Sequence, residues 1–475
     1  MQGQQIYQPQ LFSVFNMEDL IPKNHLLREI DAKIDFEFVR EMTTDYYCQN
    51  NGRPSIDPVL FVRICLLTYF YNIPSDRQVC EEIQFNLAYR WFCRLSIEDA
   101  VPDHSSLTRT RDRLGEKTFK NIFDHVVRIC IEKGFVIGEK VMMDGSLIKA
   151  DAALSSMVPK ETAESNIANI KDNKPSKYIK GKKFSNETHV SKTDPDCTLA
   201  GKVNEPKQLR YKVHETIDRD SRIILDAHIT DGSEVDGKQM FSRIDHIEET
   251  FDITIEEFTG DRGYGYGENL TSLNQRGIKS FVPRFHSDAG DRVERDSQGF
   301  TFDKEQDCYQ CPKGHLMFPI QGSTSDYKRY RIKGGHCSKC DLRESCLNLP
   351  TMKTRGAKHI EVNVHHPALE ETARREKTRT FQITRGERQW KMEGIFAEAK
   401  DNHGLDRARY RGRAKVQIQA YMIAVVQNIK RMMGNGPVVE VGLHQAVDGK
   451  EMPFWVFPLT KLNLFFKHFY RLSFA

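Results

Sequence analysis

The chain reads as a mixed α+β / α/β protein: a helical N-terminal region, then a mixed sheet interrupted by a cysteine-rich insertion. Three observations predict this. Apolar residues from about 20 to 135 fill or stripe helix-length segments. From Gly138 the pattern changes to short strand-like runs alternating with amphipathic helices. Five cysteines cluster between 308 and 346, in a stretch with few apolar residues. At 475 residues the chain is too long for one compact core. Boundaries are expected at 1–135 (helical), 136–284 (first part of the sheet, with a polar insertion at 155–205), 285–370 (cysteine-rich), 371–435 (last part of the sheet domain) and 436–475 (tail).

The elements follow in order. Pro58 to Phe70 is apolar nearly all round and predicts a buried helix. Ser75-Asp76 caps a second helix running through Ile83, and Asn86 to Phe92 gives a third. Short helices joined by tight turns suit a DNA reader of helix-turn-helix type, and equally a plain helical bundle. Pro102 to Ser106 caps a longer helix carrying Arg109, Arg111 and Arg113, which either track a DNA backbone or form a solvated face. Lys140 to Ile148 predicts a strand. Leu209 to Ile217 and Arg222 to Thr230 predict a hairpin turned by Asp218-Arg219-Asp220-Ser221. A helix over Asp236–Thr250, a strand over Ile255–Thr259, a helix over Glu268–Arg276 and a strand over Lys279–Pro283 complete the sheet region. Helices over Thr384–Asn402 and Ala414–Met433 close the pattern.

Net charge is only +4, so the overall balance does not call for nucleic acid. The distribution is more telling: Glu370 to Arg431 holds 15 Lys+Arg against 8 Asp+Glu, and Lys160 to Lys192 holds 8 against 4. Such local basic surface is the footprint of phosphate contact, or a solvated helix face. No basic-then-apolar leader opens the chain, and no run reaches the ~18 apolar residues of a membrane span. A cytoplasmic, nucleoid-associated protein is expected, and in that compartment disulfides are rare. Cys48, Cys65, Cys80, Cys93 and Cys130 lie among apolar helical residues and are expected as buried thiols.

Three acids stand in chemically informative settings. Asp144 follows the apolar strand Val141-Met142-Met143; an ionised carboxylate there is costly unless paired or bound to a cation. Asp261 opens the glycine-rich turn Gly260-Asp261-Arg262-Gly263-Tyr264, where glycines let the backbone approach a ligand. Glu393 and Lys400 lie seven residues apart on one helix, so both point to one side. Glu398 is the rival third acid, about 140° round that helix from Glu393. Then comes Gly404-Leu405-Asp406-Arg407-Ala408-Arg409-Tyr410-Arg411-Gly412, followed by Arg413.

On these motifs the chain resembles bacterial insertion-sequence transposases of the DDE type, with an InsH-like N-terminal domain and an RNase H-like core of five strands, over about Leu20 to Met433. The resemblance implies a DNA transposase that binds the terminal inverted repeats of its element and cuts and joins DNA strands. Asp144, Asp261 and Glu393 would hold two Mg²⁺ or Mn²⁺ ions, and Lys400 would grip the neighbouring phosphate. Arg388, Trp390, Arg407, Arg409, Arg411 and Arg413 would contact DNA. Related proteins often carry Tyr and Arg one turn before the Glu; here Gln389 takes that place, flanked by Arg388 and Trp390. Trp390 either stacks on an unpaired base or packs in the core near Phe396. Synapsis of two ends implies a homodimer or higher assembly. Two rivals stay open: an RNase H-like nuclease that cuts without joining, and a non-catalytic DNA-binding derivative of a transposase.

Cys308-x2-Cys311 followed by Cys337-x2-Cys340-x5-Cys346 predicts a structural metal site. The family's positions correspond to Cys311, Cys337, Cys340 and Cys346, with Cys308 spare. The plain zinc-ribbon alternative uses Cys308, Cys311, Cys337 and Cys340. Structural Zn²⁺ is expected; the spacing also admits an iron–sulfur cluster.

Overall fold

The computed structural model describes residues 16–48, 55–160, 185–202, 205–285, 299–303, 305–320, 327–332, 334–347 and 358–434, all within the compact unit Met1–Gly436. The tail at 436–475, residues 161–184 of the polar insertion, and 286–298 and 348–357 of the cysteine-rich insertion lie outside the described residues.

The N-terminal region is helical: α1 (Met17–Leu20), α2 (Leu26–Lys33), α3 (Phe38–Thr43), α4 (Pro58–Phe70), α5 (Asp76–Phe85), α6 (Leu87–Phe92) and α7 (His104–Glu132). Helix α4 starts where its sequence dictates. Asp57 accepts from the Val59 amide at 2.7 Å, and Pro58 takes the first turn, where its missing N–H costs nothing. Every residue of α4 except Leu60 is buried, Arg63 included. That guanidinium is tolerated because Asp31 and the Phe92 carbonyl each accept from it at 2.7 Å, between the rings of Phe36 and Phe92. Ser75 caps α5 and Asp103 caps α7, as their positions before the apolar runs predict. At Gly115 (φ 64°) α7 breaks into two segments, a conformation that glycine adopts without a Cβ penalty.

The central sheet is mixed. Its strands are β1 (Lys140–Lys149), β4 (Thr198–Ala200), β5 (Gln208–Asp218), β6 (Ile224–Asp231), β7 (Glu257–Thr259) and β8 (Lys279–Phe281); the short β2 (Met157–Pro159) and β3 (His189–Ser191) pair separately. The main path runs β6-β5-β1-β7-β8: β5 is antiparallel to β6 and β1, while β7 and β8 run parallel to β1. The sheet has six strands where five were expected, because β4, from the polar insertion, pairs with the start of β5. Helices α8 (Asp236–Phe251) and α9 (Gly267–Gln275) connect the later strands.

The cysteine-rich insertion forms a five-stranded antiparallel sheet in the order β13-β12-β11-β10-β9: β9 (Thr301–Asp303), β10 (Cys308–Gln310), β11 (Leu316–Pro319), β12 (Tyr327–Ile332) and β13 (His359–Asn363), with helix α10 (Arg343–Leu347) before β13. It has a small core of its own, built from Phe300, Tyr309, Met317, Tyr330, Ile332 and Ile360. Helices α11 (His366–Glu376), α12 (Arg379–His403) and α13 (Arg413–Gly434) then return to the main sheet. Helix α12 begins five residues before the sequence expectation, because Thr378 caps it through the Phe381 amide.

Helix α13 closes the sheet in an unusual way. Gln417 accepts from the Ile229 amide at 2.7 Å and donates to the Ala227 carbonyl at 2.7 Å. Asn428 does the same for Ile224, at 2.8 and 2.9 Å. Two buried side-chain amides thus satisfy the backbone of edge strand β6 as another strand would. One hydrophobic cluster runs from Leu27 through the sheet to Met432, so the N-terminal helices and the sheet share a core; Phe123 of α7 stacks on Tyr421 of α13 at 5.6 Å.

Candidate active site

The register of two parallel strands sets the site. Met142 of β1 pairs with Thr259 of β7. Asp144 and Asp261 each lie two residues beyond that pair, so the two acids stand level, Asp261 just past the end of β7 but Asp144 midway along β1, not at a strand end, because β1 stays paired with β5 as far as Lys149. In open sheets with parallel strands this carboxyl edge is where ligands bind. Gly145 donates its amide to Asp144 at 2.8 Å, and Gly263 donates to Asp261 at 2.7 Å. Burial raises the pKa of both carboxyls, and for Asp144 the charge of Asp261 adds to the rise; Arg388 opposes it at each. The Arg388 guanidinium reaches Asp144 Oδ2 at 2.7 Å from α12.

The other family positions lie along α12. Lys400 donates to Ser146 Oγ on β1 at 2.7 Å, and burial lowers its pKa. Glu393, two turns back on the same flank, is exposed to solvent. Glu398 belongs to the opposite flank. Lys430 at 3.0 Å and Arg431 at 2.9 Å, both from α13, pair with it, and His403 lies 3.6 Å away. Burial alone would raise the Glu398 carboxyl, but these partners hold it far below the carboxylate range. Glu398 is therefore committed to fastening α12 onto α13. The structure brings together Asp144, Asp261 and Arg388, and separately Lys400 with Ser146. Among the described residues no three His, Cys, Asp or Glu side chains stand at the spacing that holds a metal ion.

The arginine-rich string runs beside the end of β1. Lys149 donates its amide to the Asp406 carbonyl at 3.0 Å, and Ala408 donates to the Lys149 carbonyl at 2.8 Å. This pairing aims alternate side chains differently. Arg407 and Arg411 are exposed and share the carboxylate of Asp151, at 2.9 and 3.1 Å. Arg409 instead turns inward, donating to the Ile73 carbonyl and Asn72 and covering the ring of Tyr69, so it ties the string to α4. Arg413 opens α13, its amide donating to the Asp196 carboxylate at 2.9 Å while its side chain is exposed. Arg111, expected on a DNA-facing or solvated face, is buried against Asp76. Trp390 is 49 % exposed, which removes the core-packing alternative; Arg222 and Lys391 lie over its ring. Cys48 is exposed, unlike the buried thiols Cys65, Cys80, Cys93 and Cys130, because it follows the last helical turn before 49–54.

Cys311, Cys337, Cys340 and Cys346 line one cavity of about 40 Å³, with His315 and His336 stacked at its edge at 4.3 Å between ring centroids. Cys308 does not line it; its side chain is buried in β10. Burial pushes the Cys346 thiol up, opposed by Lys358, with Cys337, Cys340 and Cys311 near enough to add to the rise. Four soft thiol donors around one small space are the donor set that zinc or an iron–sulfur cluster takes.

Sequence reasoning did not single out Asp236, Lys212, His214, Tyr264 or Ser146. Lys212 and His214 alternate along β5 and converge on Asp236 at the first turn of α8, each 3.3 Å from its carboxylate. Charged residues at period two inside an otherwise apolar strand were the available signal.

Residues 15–113 match the family described as Transposase domain (DUF772), and residues 310–433 match the family described as Transposase DDE domain. No curated protein matches. Among solved structures, a piggyBac transposase synaptic complex with hairpin DNA is 9% identical with a TM-score of 0.24, covering 87% of this chain and 80% of that one. A pre-cleavage Mos1 transpososome is 11% identical with a TM-score of 0.16, covering 56% and 78%. Neither score carries weight for the fold, so the assignment stands on the two sequence matches and on the motifs that point the same way. Two stretches of the chain, residues 15–113 and 310–433, are thus similar to transposase families, the second to a transposase DDE domain.

Proposed function

We propose that this protein cuts DNA at the terminal inverted repeats of its element and joins the freed end to target DNA, using Asp144, Asp261 and Glu393 in an RNase H-like core. The observation that carries the reading is the level placement of Asp144, within β1, and Asp261, just past the end of the parallel neighbour β7. Two half-buried carboxylates of like charge suit a hard divalent cation, Mg²⁺ or Mn²⁺, far better than they suit a stability role. Divalent cations held there supply activation of the attacking oxygen and charge neutralisation at the leaving one. In the first step water attacks the phosphorus at the element end and the P–O3′ bond breaks, freeing a 3′-OH. In the second, that 3′-OH attacks a target phosphorus and displaces the target's own 3′ oxygen.

The chain's residues take distinct parts. Arg388 balances the charge on Asp144 and exchanges that contact for a DNA phosphate. Glu393 lies on the Lys400 flank of α12 and supplies the third carboxylate, while Lys400 holds the phosphate beside the scissile bond. Arg407 and Arg411 are held by a surface carboxylate, a contact worth about 0–1 kcal/mol that DNA phosphates readily displace. Trp390 offers an exposed ring for an unstacked base. Arg409 positions the string, while Arg413, exposed like Arg407 and Arg411, joins them in the outward contacts. Cys311, Cys337, Cys340 and Cys346 hold a structural Zn²⁺ that fastens an insertion with a small core. Two element ends require at least two protomers in the synaptic complex.

The test is cleavage and strand transfer on a labelled element-end duplex with Mg²⁺, comparing wild type with Asp144→Ala, Asp261→Ala and Glu393→Ala. Loss of both steps with DNA binding retained supports the reading. Nicking without joining by wild type replaces it with a hydrolytic nuclease. DNA binding without either step makes the protein a non-catalytic regulator.

A further inference from the structure

The row of residues that holds the two acids continues one strand further and ends in a cavity. Thr259 of β7 pairs with Phe281 of the parallel strand β8, so Pro283 stands level with Asp261, as Asp261 does with Asp144. The turn that carries Asp261 is pressed onto this segment. The Phe285 amide donates to the Gly265 carbonyl at 2.9 Å, and a Cβ on Gly265 would collide with the Pro283 carbonyl. Where the turn, the exit of β8 and the start of α12 meet lies a cavity of about 100 Å³. Arg262, Arg284, Arg385, Glu376 and Gln382 line it, together with the buried Phe381.

The charges of this cavity do not balance. Glu376 is fully engaged by Arg284, which brings its amide to the carboxylate at 2.8 Å and its guanidinium at 3.0 and 3.3 Å. Among the described residues Arg262 and Arg385 make no hydrogen bond or ion pair, and both are exposed. Three arginines against one glutamate leave the lining with two cations in excess. The first turn of α12, the positive end of that helix, adds to the same potential. A guanidinium fork matches phosphate oxygens, and the space exceeds several-fold what a single water needs. Position then selects the phosphate. Neighbouring strands lie about 4.8 Å apart, so the Pro283 backbone stands roughly 5 Å from that of Asp261 and roughly 10 Å from that of Asp144. A DNA strand advances about 3.4 Å per phosphate, so one whose scissile phosphate lies at the acids passes the cavity within about three nucleotides.

We propose that this cavity is a phosphate site, in which Arg262 and Arg385 clamp a backbone phosphate of the DNA strand being cut, beside a wall that Glu376 holds rigid through Arg284. This rests on the reading of Asp144 and Asp261 as the place of cleavage. Arg388, which holds Asp144, lies between Arg385 and Lys400 on α12, so the cavity and Lys400 grip the strand on either side of the acids. The clamp carries no sequence information; it sets the register of the strand over the acids.

Binding of a fluorescent element-end duplex to the full chain, without divalent cation and from about 50 to about 200 mM salt, tests this. Wild type is compared with Asp144→Ala and with the double variant Arg262→Gln/Arg385→Gln, whose exposed side chains break no bond within the protein when replaced. The double variant should bind more weakly, with a salt slope lower by about 0.9, so the advantage of wild type shrinks about 3.5-fold across that range. In a second arm single phosphates are made neutral as methylphosphonates, at each position within about three nucleotides of the cleaved bond on either strand. One position on the cut strand should weaken wild type and have no effect on the double variant. If the double variant binds with the affinity and slope of wild type, or each methylphosphonate weakens both proteins equally, the inference is overturned and the acids are untouched. A sensitive position found only on the uncut strand overturns it as well. If wild type does not bind the duplex, or Asp144→Ala still cuts it once Mg²⁺ is added, the cleavage-site reading falls and takes the inference with it.

Discussion

Asp76 and Arg111 join the N-terminal helices to the arginine-rich string, and breaking them should cost more than any surface contact. Arg111 is 5% exposed and Asp76 17%, and two hydrogen bonds of 2.9 Å connect them in the forked geometry that guanidinium and carboxylate favour. The other face of the guanidinium lies 4.6 Å from the ring of Tyr410. Asp76→Ala leaves that cation buried with no anion, a loss of about 3–5 kcal/mol. Asp76 also sits in the first turn of α5, and losing its charge there adds about 0.3–1 kcal/mol. The double variant Asp76→Ala/Arg111→Met removes the stranded charge and should recover most of the loss. Urea unfolding followed by tryptophan fluorescence and by circular dichroism measures both. Because the helices and the sheet share one core, the two probes should give coincident midpoints. A cost below about 1 kcal/mol for the single variant, or a double variant no better than the single, would refute the reasoning.

Glu215 faces Asp144 across β1 and β5, fully buried, and burial pushes its carboxyl up to about 8, opposed by Arg431. From about 4.5 to about 8 the folded state holds a proton that the unfolded chain has released, so stability falls as pH rises, by at most ~1.4 kcal/mol per pH unit. Glu215→Gln should remove that slope. Wild type should lose about 2 kcal/mol relative to the variant between pH 6 and pH 8, and a constant difference in urea midpoints would reject the assignment. Glu393→Gln should abolish strand cleavage with no change in unfolding. Glu398→Gln should cost roughly 2–3 kcal/mol by stranding Lys430 and Arg431, and measuring both properties on both variants separates the two acids. Cys311→Ser should purify with its zinc lost while Cys308→Ser keeps it, as metal analysis by mass spectrometry would show; the reverse result favours the Cys308 zinc-ribbon set.

Much of the element order was legible in the sequence because it depends on local rules. Caps at Ser75 and Asp103, the all-apolar run of α4 and the hairpin around Asp218 follow from short-range chemistry. Asp144 and Asp261 stood out because a carboxylate at the end of an apolar strand needs a reason, and the glycines around Asp261 signalled a close approach. Helix periodicity also placed Glu393 with Lys400 and apart from Glu398.

Position along the chain says nothing about what packs against a residue, and there the sequence reading stopped. Arg109, Arg111 and Arg113 look alike in one helix, yet Asp76 sits under Arg111 and buries it. Arg407, Arg409 and Arg411 alternate evenly, yet only the inward member meets Tyr69 and Ile73. Cys308 and Cys311 form one CxxC unit, yet the pleat of β10 turns Cys308 away from the cavity of the other four. The sequence by itself determined which segments become helix or strand and which acids are costly to bury, because these depend on neighbours within a few residues. Only the tertiary structure decided that Asp236 and Tyr264 close in behind Asp144 and Asp261. That arrangement depends on α8 and the Gly260–Tyr264 turn meeting across the sheet edge, where the glycines leave space that no local pattern records.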